Sequence, residues 1–245
     1  MNNTNIVGVL TSKNIVHQFN LLRKYKNFVS FVEVRIDTFY KDKTSQKMLL
    51  DVFKKIRDFL PNVKIIVTFR KFDEGGVIKV SENTRFYVLS KILEKYSQYV
   101  DLIDIEFFSK IKHKVIELVK KYKKTIILSY HELSSNVDGK KIIKVSKQIE
   151  NLAKIKKCKY FVKIVFRCER FSDYLEVLKS YYSRYKNINI FKKIAIFTVG
   201  KTSLLTRFLC LLLNMPLVYG AISSAVIPTQ PSIIKLINFK KIFNK

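Results

Sequence analysis

The chain has 245 residues, 48% of them hydrophobic, and a formal net charge of +28. That content of apolar side chains can offset the entropy of ordering the backbone, which excludes a disordered chain, and the length allows one large or two small domains. Only nine of the 47 basic residues are arginines, and the lysines spread over almost every helix-like segment without forming an arm or stripe, so a solvated surface explains the charge better than a nucleic-acid face.

Taken in order, the first strand is expected over residues 5–11, followed by a weakly patterned helix over 14–25. The second strand, 31–37, ends in EVRID and supplies Glu33, Arg35 and Asp37. A helix over 48–60 leads to a strand over 64–70, which ends at Arg70 and passes into the loop KFDEGG with Glu74. After a helix over 84–99, the strand 102–108 carries Asp104 and Glu106. A helix over 111–122 precedes the strand 125–131, which ends at His131. A helix over 142–155 precedes the strand 160–166, which contains Lys163. The last units are a helix over 174–185, a strand over 192–198, a segment with Lys201 and Arg207 entering a helix over 204–213, a strand over 217–222, a loop ending in Gln230 and a helix over 232–243.

Runs such as KIIVTF and TIILSY are apolar almost without interruption, as in parallel strands covered on both faces. Eight strand–helix units in this length predict an α/β (β/α)8 TIM barrel, and no Pro-, Gly- or Ser-rich linker divides it, so residues 1–245 are read as a single domain. The stretch 208–227 lacks charge over about a bilayer-spanning length. Asn214 and Pro216 interrupt it, and a helix followed by a buried strand accounts for it without a membrane. The three cysteines have no metal-ligand spacing and cannot all pair, which fits a reducing cytoplasm, and the N-terminus lacks the features of an export signal.

A barrel places its chemistry at the C-terminal ends of the strands, where the polar residues named above fall. A lysine flanked by Val162 and Ile164 within a buried strand loses hydration, which favours the neutral amine able to add to a ketone and form a Schiff base. The plainer reading of Lys163 is an ion-paired or snorkelling lysine. His131 at a strand end suits general acid–base work near neutral pH, or it is a hydrogen-bonded core histidine. His17 and His113 sit on helix-like segments and receive no role. Arg35, Arg70 and Arg207 are placed to converge on a carboxylate, since guanidinium matches its geometry. Gly200-Lys201-Thr202 resembles the end of a phosphate-binding loop, but Ala195 stands where that pattern needs glycine. No metal site and no diffusible cofactor are expected.

In this order EVRID, TFRKFDEGG, DIEFF, SYHE, FVKIVF, GKTSLLTR and YGAISSAVIPTQ resemble the type I 3-dehydroquinate dehydratases across almost the whole chain. The resemblance implies a (β/α)8 barrel, usually a homodimer, that converts 3-dehydroquinate to 3-dehydroshikimate in the shikimate pathway through a lysine imine, without cofactor, nucleic acid or membrane. It also implies that Lys163 forms the imine, His131 is the acid–base group and Glu74 supports that histidine. By the same resemblance Glu33, Arg35 and Arg70 line the substrate's hydroxyl side, Arg207 holds its carboxylate and Gln230 belongs to the closing loop.

The chain departs from the family pattern in that loop, where Val226 replaces a serine and Thr229 a glycine; Ser203 also replaces a glycine, and Glu132 follows the histidine in place of aspartate. Loss of one hydrogen bond to substrate costs about 0.5–1.5 kcal/mol, so Val226 is expected to raise the Michaelis constant while leaving the enzyme active. Another Schiff-base lyase or aldolase on the same barrel, and a degenerate basic binding protein, are the alternative readings.

Overall fold

The computed structural model describes residues 5–43, 46–136, 139–185, 191–223 and 225–243. Along them run β1 (Ile6–Leu10), α1 (Ile15–Lys24), β2 (Phe31–Arg35), α2 (Ile36–Lys41), α3 (Gln46–Phe59), β3 (Lys64–Thr68), α4 (Glu82–Tyr96), β4 (Leu102–Glu106), α5 (Lys112–Lys121), β5 (Thr125–Asn136), α6 (Gly139–Ile155), β6 (Tyr160–Arg167), α7 (Phe171–Tyr185), β7 (Ile194–Val199), α8 (Ser203–Leu212), β8 (Val218–Ala221) and α9 (Ile233–Phe243). Every strand pairing is parallel, in the order β7-β6-β5-β4-β3-β2-β1-β8. The strands curl into a nearly closed barrel, the (β/α)8 architecture expected from the sequence.

Strands β1, β2, β4, β7 and β8 are buried at every residue, because helices cover one face and side chains fill the interior of the other. Burial on both faces makes β1 and β7 read as apolar runs, while in β2 and β4 the alternate charged residues are buried in the barrel interior. One continuous apolar cluster joins all eight strands to the surrounding helices. The weakness of the first helix pattern also has a cause: α1 buries only Gln18, Phe19 and Leu22.

Several boundaries differ from the sequence reading. The second strand stops at Arg35, and Ile36–Lys41 turns into α2, where the Thr38 hydroxyl donates to the Arg35 carbonyl at 2.7 Å. The third and fourth strands likewise end two residues early, at Thr68 and Glu106, so that Arg70 leaves the ladder at the barrel mouth. β5 instead continues past His131 to Asn136, with an irregularity in its pairing to β6 between Glu132 and Asn136. The uncharged stretch divides as expected into α8, a turn at Asn214 and β8, and no described helix is long and apolar enough to cross a membrane.

β7 and β8 stand at the two ends of the strand order. What joins them is side-chain chemistry. Arg207, at the centre of α8, donates through Nε to the Tyr219 carbonyl of β8 at 2.8 Å and through a terminal nitrogen to the Thr198 carbonyl of β7 at 2.9 Å. The rings of Phe197 and Tyr219 meet across the same seam, 5.6 Å apart.

Candidate active site

Alternate residues of a strand face the same side, so each strand sends an i, i+2 pair into the barrel. These pairs include Glu33 and Arg35 of β2, Asp104 and Glu106 of β4, Ser129 and His131 of β5, and Lys163 and Val165 of β6. At the mouth they surround a cavity of about 40 Å³ lined by Glu33, Arg35, Arg70, Glu74, His131, Lys163, Arg207 and Gln230, together with Phe197, Tyr219 and Ile227. All eight residues singled out from the sequence are thus brought to one place. Lys201 is exposed and stands outside it. A larger cleft of about 1260 Å³ opens at the opposite end of the barrel among five lysines, but it contains none of these groups.

Lys163 is 5% exposed, whereas the neighbouring Lys157 and Lys159 lie on the surface, so the strand register separates three lysines that spacing alone does not. Its amine is both buried and ion-paired, so desolvation and the plainer reading of an ion-paired lysine hold together. Nζ lies 3.0 Å from Asp104 Oδ2 and 3.6 Å from Glu33 Oε1, and it sits over the Tyr219 ring at 4.1 Å from the centroid. Asp104 is itself held by Arg70 at 2.8 Å and by the Ser129 hydroxyl at 2.6 Å. Burial alone would raise the Asp104 carboxyl, but the Arg70 and Lys163 cations hold it well below the usual carboxylate range.

His131 has both its backbone N–H and its Nδ1 3.0 Å from Glu74 Oε2. With Nδ1 as the donor, Nε2 carries the lone pair. Burial, then the Arg70 and Lys163 cations, push the imidazole well below its ordinary value, so it is neutral at pH 7. Glu74 is pushed up to about 8 by burial and by the Glu106 charge. The loop that presents it turns sharply: Gly75 has φ +89°, and a Cβ on Gly76 would stand 2.3 Å from the Arg70 carbonyl oxygen.

The three arginines separate here. Arg35 forms a two-pronged pair with Asp37 at 2.8 and 2.7 Å and reaches the Gly75 carbonyl at 3.1 Å, which ties β2 to the Glu74 loop. Arg70 is taken by Asp104 and Glu106 at 2.8 and 3.0 Å. Behind them Arg85 of α4 joins Glu106 to the Phe69 carbonyl and to Glu82. Arg207 alone pairs with no carboxylate among the described residues. Its partners are the Thr198, Ser203 and Tyr219 carbonyls and the Ser203 hydroxyl, the last at 2.6 Å, and burial lowers it to about 10. A buried cation without a counter-ion, lining the cavity, is a seat for an anion. Convergence of all three arginines on one carboxylate, expected from strand-end placement, is therefore replaced by a division of labour: two organise the protein's own carboxylates and one is open to a ligand.

Sequence reading placed Asp104 in the barrel without giving it a task, and it passed over Ser129 and Tyr219. The period-2 pattern DIE marks Asp104 as inward-facing, but its partners come from the segment after β3, from β5 and from β6 and are not adjacent in sequence. In the closing loop, Thr229 accepts the Gly200 N–H at 3.2 Å. Ile227 and Gln230 line the cavity, whereas Val226 is half-buried beside it. Glu132 turns outward to the Tyr130 hydroxyl and Lys141, at 2.9 and 2.8 Å.

Fold and site together define a (β/α)8-barrel protein with a polar, cationic pocket at the C-terminal ends of its strands, the arrangement of a barrel enzyme for a small anion. Residues 6–244 match the Type I 3-dehydroquinase family, and the chain belongs to that family, whose members are hydro-lyases. Among its relatives is the 3-dehydroquinate dehydratase of Thermococcus onnurineus, 26% identical over 94% of each chain. The type I 3-dehydroquinate dehydratase of Clostridium difficile superposes with a TM-score of 0.78 at 20% identity, covering 97% of this chain and 91% of that one. The Aquifex aeolicus 3-dehydroquinate dehydratase gives 0.76 at 20% identity, covering 98% and 99%.

Proposed function

We propose that this chain carries out the dehydration of 3-dehydroquinate to 3-dehydroshikimate with Lys163 as the imine-forming nucleophile and His131 as the acid–base group. The observation that carries the reading is the buried Lys163 amine in one cavity with a neutral His131 and the unpaired Arg207. Arg207 takes the substrate carboxylate, and Gln230, Arg35 and Glu33 face its hydroxyl groups. Lys163, as the free amine, attacks the C3 ketone, and loss of water gives the protonated imine, an electron sink for the adjacent carbon. His131 Nε2 removes a C2 proton while Glu74 holds Nδ1. The same imidazolium then protonates the departing C1 hydroxyl, a syn elimination, and water hydrolyses the imine to release product.

Arg70 and Asp104 act through geometry in this scheme, fixing the rest position of Nζ. A homodimer in the cytoplasm belongs to the same reading; it is supported by exposed Leu205, Leu212 and Ile242 on α8 and α9, and by three free cysteines. Light scattering on the purified chain checks the dimer. The decisive experiment for the chemistry is incubation with 3-dehydroquinate and borohydride, followed by peptide mass spectrometry. A reduced adduct on Lys163 with formation of 3-dehydroshikimate is expected. An adduct on Lys157 or Lys159, or neither adduct nor product from folded protein, overturns the assignment.

A further inference from the structure

Among the described residues that line the cavity, Tyr219 carries a buried hydroxyl that nothing satisfies. It is 3% exposed, and its hydroxyl is buried with no hydrogen-bond partner among the described residues. Burying a hydroxyl without a partner is unfavourable, and phenylalanine would fill the same space without that penalty. The ring cannot turn away. Its own carbonyl is fixed by Arg207, Phe197 packs against it at 5.6 Å, and the Lys163 amine stands over its face at 4.1 Å. The charged groups around the hydroxyl are Glu33, Asp104 and Arg70; burial and the two carboxylates push the phenol well above its usual value of 10. It is therefore a neutral donor throughout the working pH range, beside the atom that reacts.

We propose that Tyr219 is a positioning residue for imine formation: its ring face holds the Lys163 nitrogen, and its hydroxyl donates a hydrogen bond to the oxygen that leaves the substrate's ketone carbon. This rests on the reading of Lys163 as the nucleophile. The step balances without a proton from Tyr219. Of the three hydrogens on the Lys163 ammonium, one stays on the iminium nitrogen and two leave with the ketone oxygen as water; the C–O bond breaks as the C=N bond forms. The phenol steadies that oxygen while it changes from carbonyl to carbinolamine hydroxyl to water. The aromatic face favours the nitrogen as a cation, the charge it carries in the protonated imine.

The test is the rate of borohydride-trapped adduct on Lys163, measured with 3-dehydroquinate for the full chain and for Tyr219→Phe. Phenylalanine keeps the shape and the face, so the variant folds, with a melting temperature equal to or above that of the parent. Trapping is expected to slow roughly three- to tenfold, the worth of one hydrogen bond, with KM within twofold. A structural role alone would leave the trapping rate unmoved. Trapping at the parent's rate in Tyr219→Phe overturns this inference while leaving the Lys163 assignment intact; absence of a Lys163 adduct in the parent overturns that assignment and this inference together. Tyr219→Leu, which also removes the face, is expected to trap more slowly than Tyr219→Phe, and equality of the two overturns the role of the ring.

Discussion

Asp104 touches Lys163, Arg70 and Ser129, so one carboxylate ties the rest position of the nucleophile to two neighbouring side chains. Removing a single partner from a buried ionic cluster leaves charge uncompensated, which typically costs about 3–5 kcal/mol. Asp104→Asn is expected to lose stability on that scale in denaturant titrations at pH 7; a loss below about 1 kcal/mol would show that Glu33 and Glu106 compensate. Glu74 carries a different consequence. Its carboxyl is raised to about 8, so between the ordinary carboxylate range and pH 8 the folded chain holds a proton that the unfolded chain releases. Stability from this group is therefore present in acid and declines as pH rises toward 8. Glu74→Gln removes the titration, so its melting temperature relative to the parent should climb from pH 5 to pH 9, and a constant difference across that range contradicts the assignment. At this scale the sequence revealed which side chains meet, because strand ends and flanking β-branched residues are local signals. Strand-end placement did not reveal which arginine is open to a ligand, which only the family resemblance assigned to Arg207, because that depends on Asp37, Asp104 and Glu106 occupying the other two.

Among the elements, the strands were legible because both of their faces are buried, and their ends were not, because Ile36 and Phe69 carry the apolar pattern one residue past the ladder. Ile36 and Asp37 read as the end of a strand, yet they open α2, where the Thr38 hydroxyl donates to the Arg35 carbonyl and Asp37 pairs with Arg35. The loop from β8 to α9 departs from its family where it matters for closure. Thr229 in place of glycine supplies the oxygen that meets the Gly200 N–H, and this latch lies over a cavity of only about 40 Å³, little more than the room of one water molecule. Opening the latch must accompany entry of a six-membered ring acid. Thr229→Gly removes the contact and loosens the loop, so KM for 3-dehydroquinate is expected to rise roughly three- to tenfold with kcat changed less. An unchanged KM in steady-state assays would mean that the latch does not bear on substrate retention.

For the whole molecule, the charge of +28 and the barrel are separate matters. The acidic residues are few, and several of them, Glu33, Asp37, Asp104 and Glu106, are buried at the site, so much of the surface is left to lysine. A positive surface speeds the arrival of a carboxylate substrate, an effect that salt screens. Closure of the ring has another origin. Seven strand pairings run around the barrel, and β7 and β8 are instead spanned by the forked donors of Arg207. The barrel is in that sense a belt fastened by one buckle, and the buckle is also the group assigned to the substrate carboxylate. An ammonium cannot reproduce the fork. In Arg207→Lys, amide hydrogen exchange in β8 is expected to quicken while β4, paired on both sides, keeps its protection; uniform exchange across both strands would remove the seam from consideration. A ligand carboxylate that tightens on the guanidinium should slow the same β8 amides, so that occupancy of the pocket would be readable in the breathing of two strands rather than in the chemistry at its centre.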